Sequence, residues 1–154
     1  MARLSQGDPA PDFTIEGVDG ELRLSRLLMN ASNGVILYFY PKASTPGCTT
    51  EACDFREARF HDHGYEVVGI SPDSIPALEK FKGKYDLDFF LGSDPDHAVA
   101  EAYGAWGEKK NYGKVYEGLI RSTFVISPKG VIEEALYNVK ATGHVARLAT
   151  KIDF

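Results

Sequence analysis

The apolar run Val35-Ile36-Leu37-Tyr38-Phe39-Tyr40 constrains this chain more than any other stretch. Six apolar residues in a row, followed by the turn-forming segment Pro41-Lys42-Ala43-Ser44-Thr45-Pro46-Gly47, read as a buried strand that ends abruptly. A helix-compatible stretch from Cys48 to His63 follows. Glu66-Val67-Val68-Gly69-Ile70-Ser71 then reads as a second buried strand, closed by a turn at Pro72-Asp73, and Ser74 to Tyr85 as another helix. Strands that alternate with helices predict parallel pairing with helices on both faces of a sheet.

The flanking segments extend this pattern. Asp12 to Glu16 and Glu21 to Leu24, joined through Gly17-Val18-Asp19-Gly20, predict an N-terminal hairpin. Ser93-Asp94-Pro95-Asp96 combines an N-cap candidate, a proline and an acid, and so predicts a short helix from Pro95 to Tyr103. Ser122 to Ile126 and Val131 to Tyr137 flank Ser127-Pro128-Lys129-Gly130 as a second hairpin, and Thr142 to Ile152 predicts a closing helix. The expected class is α/β with a mixed central sheet. At 154 residues the expectation is one domain spanning 1–154.

A formal net charge of -5 gives no electrostatic case for nucleic acid or for an anionic membrane surface. The N-terminal residues lack the apolar stretch of a secretory signal, and no segment approaches the ~20 apolar residues of a membrane span. The expected location is therefore the cytoplasm, without a membrane partner.

Cys48 and Cys53 are the only cysteines in the chain. Cys48 follows the strand and turn directly, which places it near a helix N-terminus, where unpaired backbone N–H groups favour an anion such as a thiolate. In one regular helix, residues five apart differ by about 140° and about 7.5 Å of rise, which sets their Cα atoms ~8.6 Å apart. That exceeds the ~7 Å limit for a disulfide, so the pair can bond only if the helix locally unwinds. Zinc sites recruit four ligands, and there is no second cysteine pair. His61 and His63 are separated by an Asp, while His97 and His144 stand alone, so all four read as solvated or capping residues and no metal is expected. Two small core hydrophobes are the other reading, against which stand the Thr-Pro-Gly before Cys48 and the charged Asp54, Arg56 and Glu57 after Cys53. Lys109 and Lys110 read as solvated.

The stretch Pro41 to Cys48 resembles the peroxiredoxin active-site pattern: a proline, three residues, Thr or Ser, two residues, then the peroxidatic cysteine. Cys53, five residues along the same helix, resembles the peroxiredoxin Q group, also called the bacterioferritin comigratory proteins. Ser93 to His97, Tyr103 to Lys110 and Gly118 to Phe124 continue the resemblance in order over nearly the whole chain. It implies a thioredoxin-like fold of the peroxiredoxin type and a thiol-dependent peroxidase acting on hydrogen peroxide and organic hydroperoxides. Cys48 would be the nucleophile and Cys53 the resolving thiol. Thr45 and Arg121 would orient peroxide and stabilise charge, and Pro41 would shield the thiolate. Glu51 reads either as an acid favoured by the helix dipole or as a residue that orients Arg121. The implied reductant is thioredoxin or a glutaredoxin-like protein, the implied state a monomer with a weak dimer as the alternative, and no cofactor is expected. A redox sensor or holdase would use the same cysteine pair without efficient turnover. A protein disulfide oxidoreductase would carry Cys-x-x-Cys, which this chain lacks.

Ionisation alone gives such a site little. A free thiol of pKa ~8.5 is about 3% thiolate at pH 7, so full ionisation gains at most ~30-fold, or about 2 kcal/mol. The larger requirement is stabilisation of negative charge on the departing peroxide oxygen, for which Arg121, the Thr45 hydroxyl and the amides at the Cys48 helix terminus are the candidates.

Overall fold

The computed structural model describes residues 3–111 and 113–152, with side-chain environments for all of these except 110 and 111. The expected buried strand is its centre. β3 (Gly34–Phe39) pairs in parallel with β4 (Tyr65–Ser71) and antiparallel with β8 (Ser122–Ile126). β4 pairs in parallel with β5 (Phe90–Ser93), and β8 antiparallel with β9 (Ile132–Leu136). The N-terminal hairpin of β1 (Thr14–Gly17) and β2 (Gly20–Arg23) joins the other side, which gives a seven-stranded order β2-β1-β5-β4-β3-β8-β9.

Strand periodicity turns β3 and the residue after it into the wall between two cores. Val35, Leu37 and Phe39 face one core with Leu24 and Leu27 of α1 (Leu24–Asn30) and Val99, Ala100 and Tyr103 at α4 (Ala98–Ala102). Ile36, Tyr38 and Tyr40 face the other core, with Cys48, Ala52 and Phe55 of α2 (Pro46–Ala58). Leu78 and Phe81 of α3 (Ile75–Tyr85) and Val145 and Leu148 of α5 (His144–Lys151) complete that second layer. Helices thus cover both faces, and β3, β4 and β5 run parallel, as the alternation of elements predicts.

Two glycines are required by this packing. Gly34 has φ +130, and a Cβ there would meet the Ile126 carbonyl oxygen. Gly69 lies beneath the Tyr38 ring, and a Cβ would come within 2.8 Å of Tyr38 Cζ.

Several elements differ from the sequence expectation. The helix from Cys48 stops at Ala58, because Arg59 turns left-handed at φ 53 and a 3-10 turn over Phe60–His63 follows. The Pro95 helix begins only at Ala98. Asp94 caps it from within the preceding turn, its carboxylate accepting the Val99 and Ala100 amides at 3.2 and 3.0 Å. The sequence reading passed over α1, β5 and the two-stranded ribbon of β6 (Trp106–Asn111) and β7 (Lys114–Leu119). Among the described residues no helix is long and apolar enough to cross a membrane.

Candidate active site

The chain leaves β3 through Tyr40 and Pro41 and is tied to the end of β4: the Ala43 amide donates to Asp73 Oδ2 at 2.7 Å, and the Ser71 hydroxyl donates to the same oxygen at 2.7 Å. Ser44 takes a left-handed φ of 65 that turns the loop into α2. Thr45 is the extended N-cap residue, and Pro46 takes a first-turn position that needs no amide hydrogen. The first helical bond runs from the Thr49 amide to the Thr45 carbonyl at 2.9 Å, so the amides of Gly47 and Cys48 precede the ladder at the positive end of the dipole. Cys48 is therefore where the sequence put it, and its residue is 1% exposed.

Arg121 joins this helix to the sheet. It lies immediately before β8, and its backbone carbonyl accepts the Val139 amide at 3.0 Å, which holds the segment after β9 against it. Its guanidinium divides between two acceptors: Nη2 donates to Cys48 Sγ at 3.3 Å, and Nη1 donates to Glu51 Oε1 at 2.5 Å. Guanidinium, helix terminus and free amides thus bring positive potential to one sulfur.

Glu51 is fully buried. Burial pushes its carboxyl up to about 7, against the opposing pull of Arg121. Its second oxygen, Oε2, has no hydrogen-bond partner and lies 3.8 Å from His144 Nε2. His144 is itself buried, with Nε2 2.7 Å from the hydroxyl of Thr123 in β8. Burial, with Arg121 and Arg147 nearby, holds its imidazole down to about 4.

The structure thus brings Cys48, Arg121 and Glu51 into direct contact. Thr45 stands one turn before Cys48, half-buried, with its hydroxyl donating to the Lys42 carbonyl at 2.7 Å and its oxygen lone pairs still available. Pro41 is exposed at the mouth of the loop. Cys53 is half-buried in the same unbroken helix, and both thiols are free, so the spacing argument against direct bonding applies to this form.

Two sequence readings are corrected. His144 is neither solvated nor a cap, because α5 packs it beneath the sheet with its ring edge-on to Phe55. Lys109 is not simply solvated: its ammonium donates to the Leu119 carbonyl at 2.8 Å, and burial, with Arg121 adding, pushes it below the usual lysine range. Lys110 lies outside the described side chains. Nothing in the local pattern marks Thr123 or Asp73 for the site, and for the same reason His144 and Lys109 read only as solvated or capping residues. Among the described residues no group of three or more metal-ligating side chains converges.

The AhpC/TSA family model matches residues 6–135. The chain belongs to the AhpC/TSA family. Within it, a putative peroxiredoxin of Mycobacterium tuberculosis is 53% identical over 148 residues, covering 95% of this chain and 93% of the relative. Peroxiredoxin Bcp of Bacillus subtilis is 44% identical over 142 residues, covering 91% and 89%. Among solved structures, a peroxiredoxin Q of Xanthomonas campestris superposes with a TM-score of 0.82 at 36% identity, covering 91% of this chain and 89% of that one. A further structure of the Xanthomonas campestris bacterioferritin comigratory protein, at 35% identity and TM-score 0.81, covers 91% and 89% and concerns that protein's alkyl peroxide reduction. The mixed sheet of this AhpC/TSA chain is therefore the thioredoxin-like fold of the peroxiredoxins, as the sequence resemblance implied.

Proposed function

We propose that this AhpC/TSA protein acts, as one domain, as a thiol peroxidase for hydrogen peroxide and organic hydroperoxides. The observation that carries the reading is the Arg121 guanidinium, shared between Cys48 Sγ and buried Glu51. The Cys48 thiolate attacks the nearer peroxide oxygen. The S–O bond forms as the O–O bond breaks, sulfur is oxidised by two electrons, and the departing oxygen takes a proton to leave as water or alcohol. Arg121 and the Gly47 and Cys48 amides face the charge that develops in that step, Thr45 supplies a hydroxyl oxygen to receive the peroxide hydrogen, and Pro41 limits access from solvent.

The first turns of α2 then unwind. Cys53 sulfur attacks Cys48 sulfenic acid to give a disulfide and water, and an external dithiol protein of the thioredoxin or glutaredoxin type reduces that disulfide by exchange. Peroxide reduction by a Xanthomonas campestris relative of the same fold supports the assignment. The protein works in this reading as a cytoplasmic monomer without a cofactor.

Peroxide consumption with thioredoxin and its reductase, followed in a coupled assay, tests it. Turnover is expected for the wild type and none for Cys48→Ser. Cys53→Ser is expected to consume one peroxide per chain and to accumulate a sulfenic acid that a dimedone probe traps. Full activity in Cys48→Ser would overturn the assignment, and slow oxidation without turnover would favour a sensor.

A further inference from the structure

Oε2 of Glu51 is a buried carboxyl oxygen without a hydrogen bond, one residue removed from the reacting sulfur. Such an atom is costly to bury, and the side chain that faces it is His144, whose Nε2 stands 3.8 Å away, about 0.6 Å beyond hydrogen-bond reach. The same Nε2 stands 2.7 Å from the Thr123 hydroxyl, and Phe55 meets the ring from the side. The contacts form one buried line: Cys48 Sγ, Arg121, Glu51, His144, Thr123.

We propose that His144 is a positioning residue for peroxide reduction: it holds the free oxygen of Glu51, and through Glu51 it keeps the Arg121 guanidinium aimed at Cys48. The inference rests on the peroxidase reading given above. Imidazole suits this task because a neutral ring carries one donor and one acceptor. Nε2 offers a single hydrogen or a single in-plane lone pair, and the Thr123 hydroxyl already stands 2.7 Å from it, so Oε2 and Thr123 compete for this nitrogen. With Glu51 ionised, the tautomer bearing a proton on Nε2 turns that N–H from Thr123 towards Oε2. With Glu51 protonated, the other tautomer accepts the Oε2 proton in place of the Thr123 hydrogen, and the hydroxyl rotates away. Oε1 then stays on Arg121 in both charge states.

Charged and titratable groups meet this pair from several elements. Arg121 before β8, Asp54 on α2 and Arg147 on α5 bear on it, with Tyr38 of β3 and Tyr40 after it near Glu51. Arg121 and Arg147 disfavour an imidazolium, and Asp54 disfavours a second carboxylate, so these neighbours favour the neutral ring that the exchange of tautomers needs.

Stopped-flow oxidation of Cys48 by hydrogen peroxide, set beside alkylation of the same thiol by iodoacetamide from pH 5 to 9, tests the role. His144→Phe fills the space without ring nitrogens and is expected to slow the peroxide reaction by about tenfold or more while alkylation changes less, because only peroxide needs aimed donors. His144→Gln, which can donate and accept, is expected to recover most of the loss. Equal slowing of both reactions, an unchanged peroxide rate and pH profile in His144→Phe, or no recovery in His144→Gln would each overturn the proposal. A measurement independent of activity is the 15N shift pair of the His144 ring, expected to change in Glu51→Gln; identical shifts would also overturn it. A wild type inert to peroxide would instead defeat the peroxidase reading, and the nitrogen shifts would still decide the contact.

Discussion

Glu51→Gln is expected to change how stability responds to pH, and His144→Phe to change it in the opposite sense. The Glu51 carboxyl is held at about 7 against an ordinary 4.5, so between those values the folded chain keeps a proton that the unfolded chain has released. Stability is then greatest below pH 4.5 and is lost as pH rises through 7, by about 3 kcal/mol at 1.36 kcal/mol per unit. His144 acts the other way. Its imidazole is held at about 4 against 6.5, so the unfolded chain carries the extra proton and stability rises between pH 4 and 6.5. Over the two units from pH 4.5 to 6.5 that slope is worth about 2–3 kcal/mol at most. In the wild type the two slopes partly cancel. Urea unfolding followed by circular dichroism at pH 4.5, 5.5, 6.5 and 7.5 separates them. Relative to wild type, Glu51→Gln should gain about 3 kcal/mol across this range and His144→Phe should lose about 2. A difference between Glu51→Gln and wild type that stays constant across the range would refute the claim that Glu51 is buried at an energetic cost.

Arg121→Gln removes the donor shared by sulfur and carboxylate and should slow peroxide oxidation of Cys48 by about 10²-fold in stopped flow. Gly47 stands in the first turn of α2, and a Cβ there meets only Ala141 Cβ at 3.4 Å and Arg121 Nη2 at 3.6 Å, so Gly47→Ala fits the folded helix. It should stabilise that turn by up to about 1 kcal/mol and slow disulfide formation by up to about fivefold, read by quenched-flow trapping of the sulfenic acid. Gly34→Ala drives a Cβ into the Ile126 carbonyl at a positive φ and should cost about 3 kcal/mol or more by urea unfolding.

The sheet was legible in its two long buried parallel strands, whereas β5, buried but only four residues long, left no such run. Val35 to Tyr40 and Val67 to Ile70 must be free of charged side chains because helices cover them, and that necessity is written as uninterrupted runs. α1 was not legible. It spans seven residues, Arg23 before it gives no side-chain cap, and its stability comes from packing Leu24 and Leu27 on β3 rather than from local signals. β6 and β7 pair only with each other and carry Glu108, Lys109, Lys114 and Glu117, so no buried face imposes alternation on them. The position of Cys48 was readable because turn chemistry, helix start and cysteine adjoin along the chain. Arg121 needed the resemblance, being 73 residues from Cys48 in sequence. His144 was misread as solvated or capping, since a histidine after a glycine becomes informative only when folding lays α5 over Glu51.

Cys48, Glu51 and Cys53 share six residues of one helix, and this has a kinetic consequence. In the proposed cycle, bringing Cys53 to the sulfenic acid pulls Glu51 away from Arg121, so the segment cannot resolve and remain poised for peroxide at once. While α2 stays wound, the sulfenic acid faces Arg121 and a second peroxide can carry it to the sulfinic acid. A first-order step, helix opening, therefore competes with a second-order one, the arrival of peroxide. Their ratio sets the peroxide concentration at which the protein spends itself rather than turning over, and the stability of a single turn of α2 tunes it.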